Sequence, residues 1–160
     1  MDKRYFEKCA ELYGDTVLRI AVNYCRSLQD AEDITQEVFL RFYRKGRQLD
    51  VEQAKFYLIR MAVNLSINLT KSAWRTKVTS ADSLTEELRD DTAESDRRAA
   101  VISAVRGLPV KYRSVIHLYY YEELSVREIA SILKRRETTV QTQLMRARQM
   151  LKEKLGEGEL

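Results

Sequence analysis

The sequence predicts an all-α protein, two small helical domains joined by a flexible acidic linker, and three features predict it. Apolar residues recur at helical spacing through most of the chain. One Pro and five Gly in 160 residues are too few for the many turns of an all-β fold. The stretch from Thr76 to Asp96 carries 2 basic and 7 acidic groups and few large apolar residues, so it cannot bury enough surface to fold alone. The expected domains are residues 1–75 and 98–160, with the linker at 76–97.

The first helix is expected over Tyr5–Leu28, with Leu12, Val17, Leu18, Ala21, Val22 and Cys25 at helical spacing. Asp30 opens a second helix that runs to Lys45. There Ala31, Ile34, Val38 and Phe42 fall on one stripe, with Phe39 on its edge. The opposite face holds Asp33, Gln36 and Glu37, with Leu40 exposed among them. A lone large aliphatic side chain among carboxylates suits docking on a basic partner helix. A solvated face with a stray leucine is an equal reading. The carboxylates Glu32, Asp33 and Glu37 lack a nearby His or fourth ligand, which argues against a metal site.

Gly46–Gln53 is a polar break, and a third helix is expected over Ala54–Ala73. Phe56, Ile59, Val63 and Ile67 supply its buried stripe. Asn64, Asn68, Lys71 and Arg75 form a polar ribbon that ends in positive charge. Asparagine both donates and accepts, so it can read an exposed base, while Lys71 and Arg75 can hold a nucleic-acid backbone. Tyr57 and Trp74 can stack on bases or pack in the core.

Beyond the linker, Ala99–Arg106 is helical, Gly107-Leu108-Pro109 breaks it, and Lys111–Tyr121 resumes. His117 lies in the apolar run VIHLYYY and reads as a core or edge residue. Ser125 and Glu128 have the S-x-x-E spacing of a capping box that starts a helix over Val126–Leu133. Val126, Ile129, Ala130 and Leu133 face inward, and Lys134-Arg135-Arg136 makes a short turn. A last helix, Thr139–Leu155, carries Val140, Leu144, Ala147 and Leu151 on one side. Two short helices joined by a tight turn, the second with a polar outer face, form a helix-turn-helix. Thr138, Thr142, Met145 and Gln149 lie opposite the buried stripe, with Gln141 and Arg146 on its flanks. Gln141 can pair with adenine, Thr142 and Met145 can touch a thymine methyl, and Arg146 can donate to guanine or phosphate. Lys134, Arg135, Arg136, Arg148 and Lys152 suit phosphate contacts. A solvated basic helix in a bundle is the plainer alternative.

Charge and composition narrow the function. The formal net charge is +4, yet an acidic stretch separates two basic blocks, and a basic C-terminal stripe fits a phosphate-contacting face. The acidic linker is expected to fold back on those blocks and compete with DNA. There is no run of about 18 apolar residues and no apolar h-region near the N-terminus. No membrane span or secretory signal is therefore expected. Cys9 and Cys25 lack metal or redox spacing and suit a reducing cytoplasm. One His removes most metal sites and His-dependent triads, so neither enzyme nor cofactor is expected.

The order DAEDITQEVFLRFY, FYLIRMAVNLSIN, a variable acidic linker, then SVREIASILKRRETTVQTQLMRARQML resembles the extracytoplasmic-function (ECF) members of the bacterial sigma-70 family, which keep only domains 2 and 4. The resemblance covers about residues 5–75 and 98–155. It implies a transcription initiation factor whose partners are core RNA polymerase, at its β′ clamp and β flap, and promoter DNA. An anti-sigma factor is also implied. Asp33, Gln36, Glu37 and Leu40 would dock on the β′ coiled coil. The Gly46–Gln53 break would be the specificity loop that, with Met61 and Asn64, holds a flipped −10 base. Tyr57, Arg60, Met61, Asn64, Asn68, Lys71 and Arg75 would contact the −10 strand. Arg135, Arg136, Thr138, Gln141, Thr142, Met145, Arg146 and Gln149 would contact the −35 duplex. Where the family has Trp-Leu, Asp and Arg, this chain has Tyr57-Leu58, Asn68 and Lys71. Where many members have Gly in the helix-turn-helix turn, it has Lys134-Arg135-Arg136-Glu137, so a non-Gly residue must take any positive-φ position, at about 1 kcal/mol. The alternative is a helix-turn-helix regulator with a LuxR-like C-terminal half, which would bind DNA without polymerase.

Overall fold

Side-chain caps start the helices of the N-terminal part, a few residues ahead of where apolar periodicity alone puts them. Asp2 accepts from the Arg4 N–H at 3.3 Å and opens α1, Lys3–Tyr24. Ser27 accepts from the Asp30 N–H at 3.1 Å and opens α2, Leu28–Lys45, so Leu28 belongs to the second helix. Gly46 ends α2 at φ 68°, a left-handed cap that glycine adopts without Cβ strain. Asp50 and Gln53 cap each other: Gln53 N–H donates to Asp50 Oδ1 at 2.9 Å and Asp50 N–H to Gln53 Oε1 at 3.3 Å. That pair opens α3, Val51–Thr76, so the expected break at 46–53 already contains its first turn.

The computed structural model describes residues 1–46, 49–76 and 93–156, which fall into two units, Met1–Ser80 and Ala81–Leu160. Of the linker expected at 76–97, residues 77–92 lie outside the described residues, as do the side chains of Trp74 and Arg75 on the last turn of α3. The described residues contain no strand. Among them, no helix is long and apolar enough to cross a membrane.

In the first unit α1 packs on both α2 and α3, and α2 packs on α3. The whole expected stripe of α2, Ala31, Ile34, Val38 and Phe42, is buried. On α1, Val17, Ala21 and Cys25 are buried as expected, but Leu12 is 50% exposed and Leu18 and Val22 are half-buried. The buried arc of α1 is centred on Cys9, Ile20 and Tyr24, and Leu12 lies roughly a quarter turn from that centre. On α3, Ile59 and Val63 are buried, whereas Phe56 and Ile67 are only half-buried. Ala54, Leu58 and Ala62 take the centre instead. Small alanines there permit close helix approach, which favours turning that row inward.

The second unit starts with α4, Ala93–Arg106, earlier than the expected Ala99. Glu94 and Asp96 occupy its first turn, where negative charge complements the helix dipole. The end of the expected linker at 76–97 is therefore helical. After the Gly107-Leu108-Pro109 break comes α5, Val110–Ile116, which continues as a π-helical turn over His117–Tyr121. The Glu122 N–H donates to the His117 carbonyl at 3.2 Å to close that wider turn. Within it the His117 ring is buried, stacks on Tyr121 at 5.3 Å, and sets Nε2 2.9 Å from Glu122 Oε2. The helix-turn-helix follows as α6, Val126–Leu133, and α7, Glu137–Leu155. α7 is central to this unit, packing on α4, α5 and α6.

Candidate nucleic-acid interface

The helix-turn-helix forms as its spacing predicts. Both arms of the capping box are present: Glu128 N–H donates to Ser125 Oγ at 3.1 Å, and Ser125 N–H to Glu128 Oε1 at 2.9 Å. Ile129 and Ala130 are buried on α6, and Val140, Leu144, Ala147 and Leu151 on α7. Val126 and Leu133 are half-buried. Lys134 takes the left-handed turn position at φ 56°, the place where a glycine would carry no Cβ strain. Thr138, Gln141, Met145, Arg146 and Gln149 are exposed on α7, Arg136 is exposed at its start, and Thr142 is half-buried.

Not all of the basic groups stand free. Arg135 is half-buried and donates to Gln143 Oε1 at 2.7 Å and to the Lys111 carbonyl at 3.3 Å. Arg148 donates to the Tyr120 hydroxyl at 2.6 Å and lies 5.6 Å from the Tyr119 and Tyr120 ring centres. Met145 and Gln149 border a groove of about 650 Å³ whose wall includes Val105, Ile116, Tyr120 and Tyr121. Their side of α7 thus adjoins an apolar surface that periodicity could not reveal.

In the first unit α2 presents Asp33, Gln36 and Leu40 to solvent, Leu40 at 43% exposure, with Glu37 half-buried beside them. Glu37 accepts from Arg41 at 2.6 Å and Asp33 from Gln29 at 3.0 Å, both one turn away on the same helix. The face is acidic and carries an exposed aliphatic side chain.

A second concavity lies where α2, the loop after it and α3 meet. It has a volume of about 300 Å³ and is lined by Phe42, Lys45, Leu49, Gln53, Phe56, Tyr57 and Arg60. Tyr57 packs 6.0 Å from the Phe42 ring, and Lys45 Nζ stands 5.0 Å over the Tyr57 face. Of the residues expected at the −10 strand, Tyr57 and Arg60 line this cavity, while Met61 and Asn64 do not. Asn64, Asn68 and Lys71 are exposed farther along α3, and Met61 is half-buried. Leu49 and Gln53 fall within the Gly46–Gln53 segment that the resemblance makes the specificity loop, whereas Lys45 is not among the expected site residues. The D-x-x-Q spacing of Asp50 and Gln53 is a readable capping signal. Aromatic rings flanked by cations, next to a polar ribbon, can hold an unpaired base and its phosphates.

Residues 9–76 match the family described as sigma-70 region 2, and residues 98–151 match sigma-70, region 4. The ECF RNA polymerase sigma factor SigW of Bacillus subtilis is 31% identical, over 96% of this chain and 90% of the relative. SigM of the same organism is 29% identical over 92% and 93%. Among solved structures, the sigma factor RpoE from Bartonella quintana, in complex with the anti-sigma factor NepR, has a TM-score of 0.74 at 17% identity, covering 96% of this chain and 98% of its own. CnrH, solved with the cytosolic domain of CnrY, has a TM-score of 0.69 at 21% identity, covering 95% and 88%.

Proposed function

The chain belongs to the sigma-70 family as an ECF sigma factor, and from that premise we propose how its two units divide transcription initiation between them. Factors of this family bind core RNA polymerase and recognise promoter DNA, and they are initiation factors rather than enzymes. The α2 face of Asp33, Gln36, Glu37 and Leu40 docks on the β′ clamp. Tyr57, Arg60, Asn64, Asn68, Lys71 and Arg75 engage the −10 strand once it is open. The second unit meets the β flap and places α7 on the −35 duplex, where Gln141, Thr142 and Arg146 reach base edges and Arg136 a phosphate. Residues 77–92 join the two units. The polymerase it serves places the protein in the cytoplasm. RpoE and CnrH were solved with NepR and CnrY, which supports an anti-sigma factor as a further partner.

The observation that carries this reading is the cation-flanked aromatic cavity at the foot of α3. Taking a base from the stack costs a few kcal/mol, and stacking on an aromatic ring returns about 1–3 kcal/mol. A cavity of about 300 Å³ is at the lower end for small-molecule sites and suits a single base. On this reading Tyr57, Arg60 and Lys45 hold that base, while Met61 and Asn64 are not among the residues that line the cavity. Arg60→Ala should leave core binding and −35 duplex binding intact and reduce permanganate reactivity of the −10 thymines. Normal promoter opening by that variant would remove the cavity from the mechanism.

A further inference from the structure

Two tyrosine hydroxyls reach from α1 to the segment that walls this cavity. Tyr5 donates to the Leu49 carbonyl at 2.5 Å, and Tyr13 donates to the Val51 carbonyl at 2.9 Å. Between those carbonyls, Asp50 is held by its reciprocal bonds with Gln53. The consecutive residues Leu49, Asp50 and Val51 are thus each fixed by a hydrogen bond that a side chain makes. Leu49 and Gln53 both line the cavity, so the fixed segment is one of its walls.

The Tyr5 hydroxyl also meets Cys9, one turn along the same helix, but the apolar packing of α1 does not depend on either hydroxyl. The helix is seated by Cys9, Val17, Ile20, Ala21 and Tyr24, and the Tyr5 ring packs 6.2 Å from Phe42, a contact that a phenylalanine would keep. A carbonyl oxygen has two lone pairs, so the Val51 carbonyl can take its intrahelical bond and the Tyr13 bond together. The second bond therefore restrains a group already able to be satisfied. A site that tells one base from another needs its walls held to within about 0.5 Å, because a wall that yields can adapt to several bases.

We propose that Tyr5 and Tyr13 are positioning residues for promoter opening: by holding the Leu49 and Val51 carbonyls they preset the cavity wall and so set which base it accepts. The inference rests on the cavity's proposed use for an unstacked base. Neither residue touches the base; both act through the loop-to-α3 junction. The substitutions that test it, Tyr5→Phe and Tyr13→Phe, remove a hydroxyl and keep a ring.

The experiment uses the full chain on bacterial core RNA polymerase with a promoter library randomised across the −10 region, sequencing the transcripts. The wild type, Arg60→Ala and the Tyr5→Phe/Tyr13→Phe double variant are compared, with thermal melting to establish that each is folded. Arg60→Ala identifies the position the cavity reads, as the one whose preference it flattens. The double variant should flatten the same position, by about fivefold for each hydroxyl lost, and leave the other −10 positions unchanged. Phenylalanine at only one of the two positions should give an intermediate profile. If Arg60→Ala flattens one position and the double variant leaves it sharp, the positioning role is wrong while the cavity reading stands. Even flattening at all positions would show a general structural effect and overturn the proposal. If Arg60→Ala flattens no position, the cavity reading fails and this inference with it.

Discussion

Arg148 on α7 donates its Nε to the Tyr120 hydroxyl at 2.6 Å and lies against the Tyr119 and Tyr120 rings. The recognition helix is thereby tied to the π-helical turn that ends α5. A guanidinium so engaged is restrained in where its remaining N–H groups can reach, whereas Arg146, one turn away from Thr142 on the exposed side, is solvent-facing.

The two arginines should therefore separate on substitution. Arg146→Ala should weaken −35 duplex binding by about 1–3 kcal/mol and relax the preference at one base position. Arg148→Ala should lower the melting temperature of the protein and cost less in DNA affinity than Arg146→Ala. Paired duplex titrations and melts measure both. Equal losses of affinity from the two variants would mean that Arg148 serves the DNA as directly as Arg146 does.

Reversing the acidic face should abolish polymerase docking without harming the fold. Asp33 is exposed and Glu37 only half-buried, and the surface pairs they make with Gln29 and Arg41 are worth at most about 0.5 kcal/mol each. The Asp33→Lys/Glu37→Lys double variant should keep its helical circular dichroism and fail to pull down core enzyme. Full-strength binding would exclude this face as the docking site.

Lys134 in the left-handed region at φ 56° stores strain that a glycine would relieve. Lys134→Gly should stabilise the second unit by about 1 kcal/mol, partly offset by the greater freedom of glycine in the unfolded chain. Because a lysine is lost beside α7, the salt dependence of DNA binding should become shallower by about one counterion if Lys134 contacts a phosphate. A melting temperature that falls would show that the Lys134 side chain contributes more than its backbone costs.

Stability should decline at alkaline pH. Burial raises Cys9 above its ordinary 9.0, and burial, followed by the hydrogen bond to Cys9, raises Tyr5 above 10.0. Burial likewise raises Tyr13 and Tyr121. Above those ordinary values the unfolded chain loses protons that the folded chain retains, so the stability present in full below about pH 9 falls as pH rises. Chemical denaturation between pH 8 and pH 11 follows it. Cys9→Ala should delay the onset toward the tyrosine range; an unchanged onset would mean that the thiol is not the first group to titrate.

Much of the fold was legible because local signals agreed with tertiary packing. The α2 stripe of Ala31, Ile34, Val38 and Phe42 and the α7 stripe of Val140, Leu144, Ala147 and Leu151 repeat cleanly, and Ser125 with Glu128 marks where α6 begins. Leu12 misled because an apolar side chain at the edge of a helix face reads the same as one at its centre. Phe56 misled because it lies at the edge of the buried face, whose centre Ala54, Leu58 and Ala62 take. The cavity was legible in part: the resemblance makes Gly46–Gln53 a base-holding loop and names Tyr57 and Arg60, but the contribution of Phe42 and Lys45 from α2 was hidden. Its lining comes from α2, the loop and α3 together, and the hydroxyls of Tyr5 and Tyr13 reach it across about forty residues of sequence. No periodicity encodes such a meeting. The π-helical turn was hidden likewise, since its wider backbone bond from Glu122 N–H to the His117 carbonyl leaves no mark in the apolar run VIHLYYY.

Run-off transcription tests the central claim most directly. Core RNA polymerase is supplied with the chain and a template library carrying randomised −10 and −35 elements, and transcripts are compared with those from core alone. The expected result is initiation at a defined subset of templates, dependent on the chain and on both elements, with loss of activity when either unit is removed. Sequence-specific duplex binding by the free protein, with no polymerase association and no promoter-dependent transcript, would contradict it and restore the independent helix-turn-helix regulator.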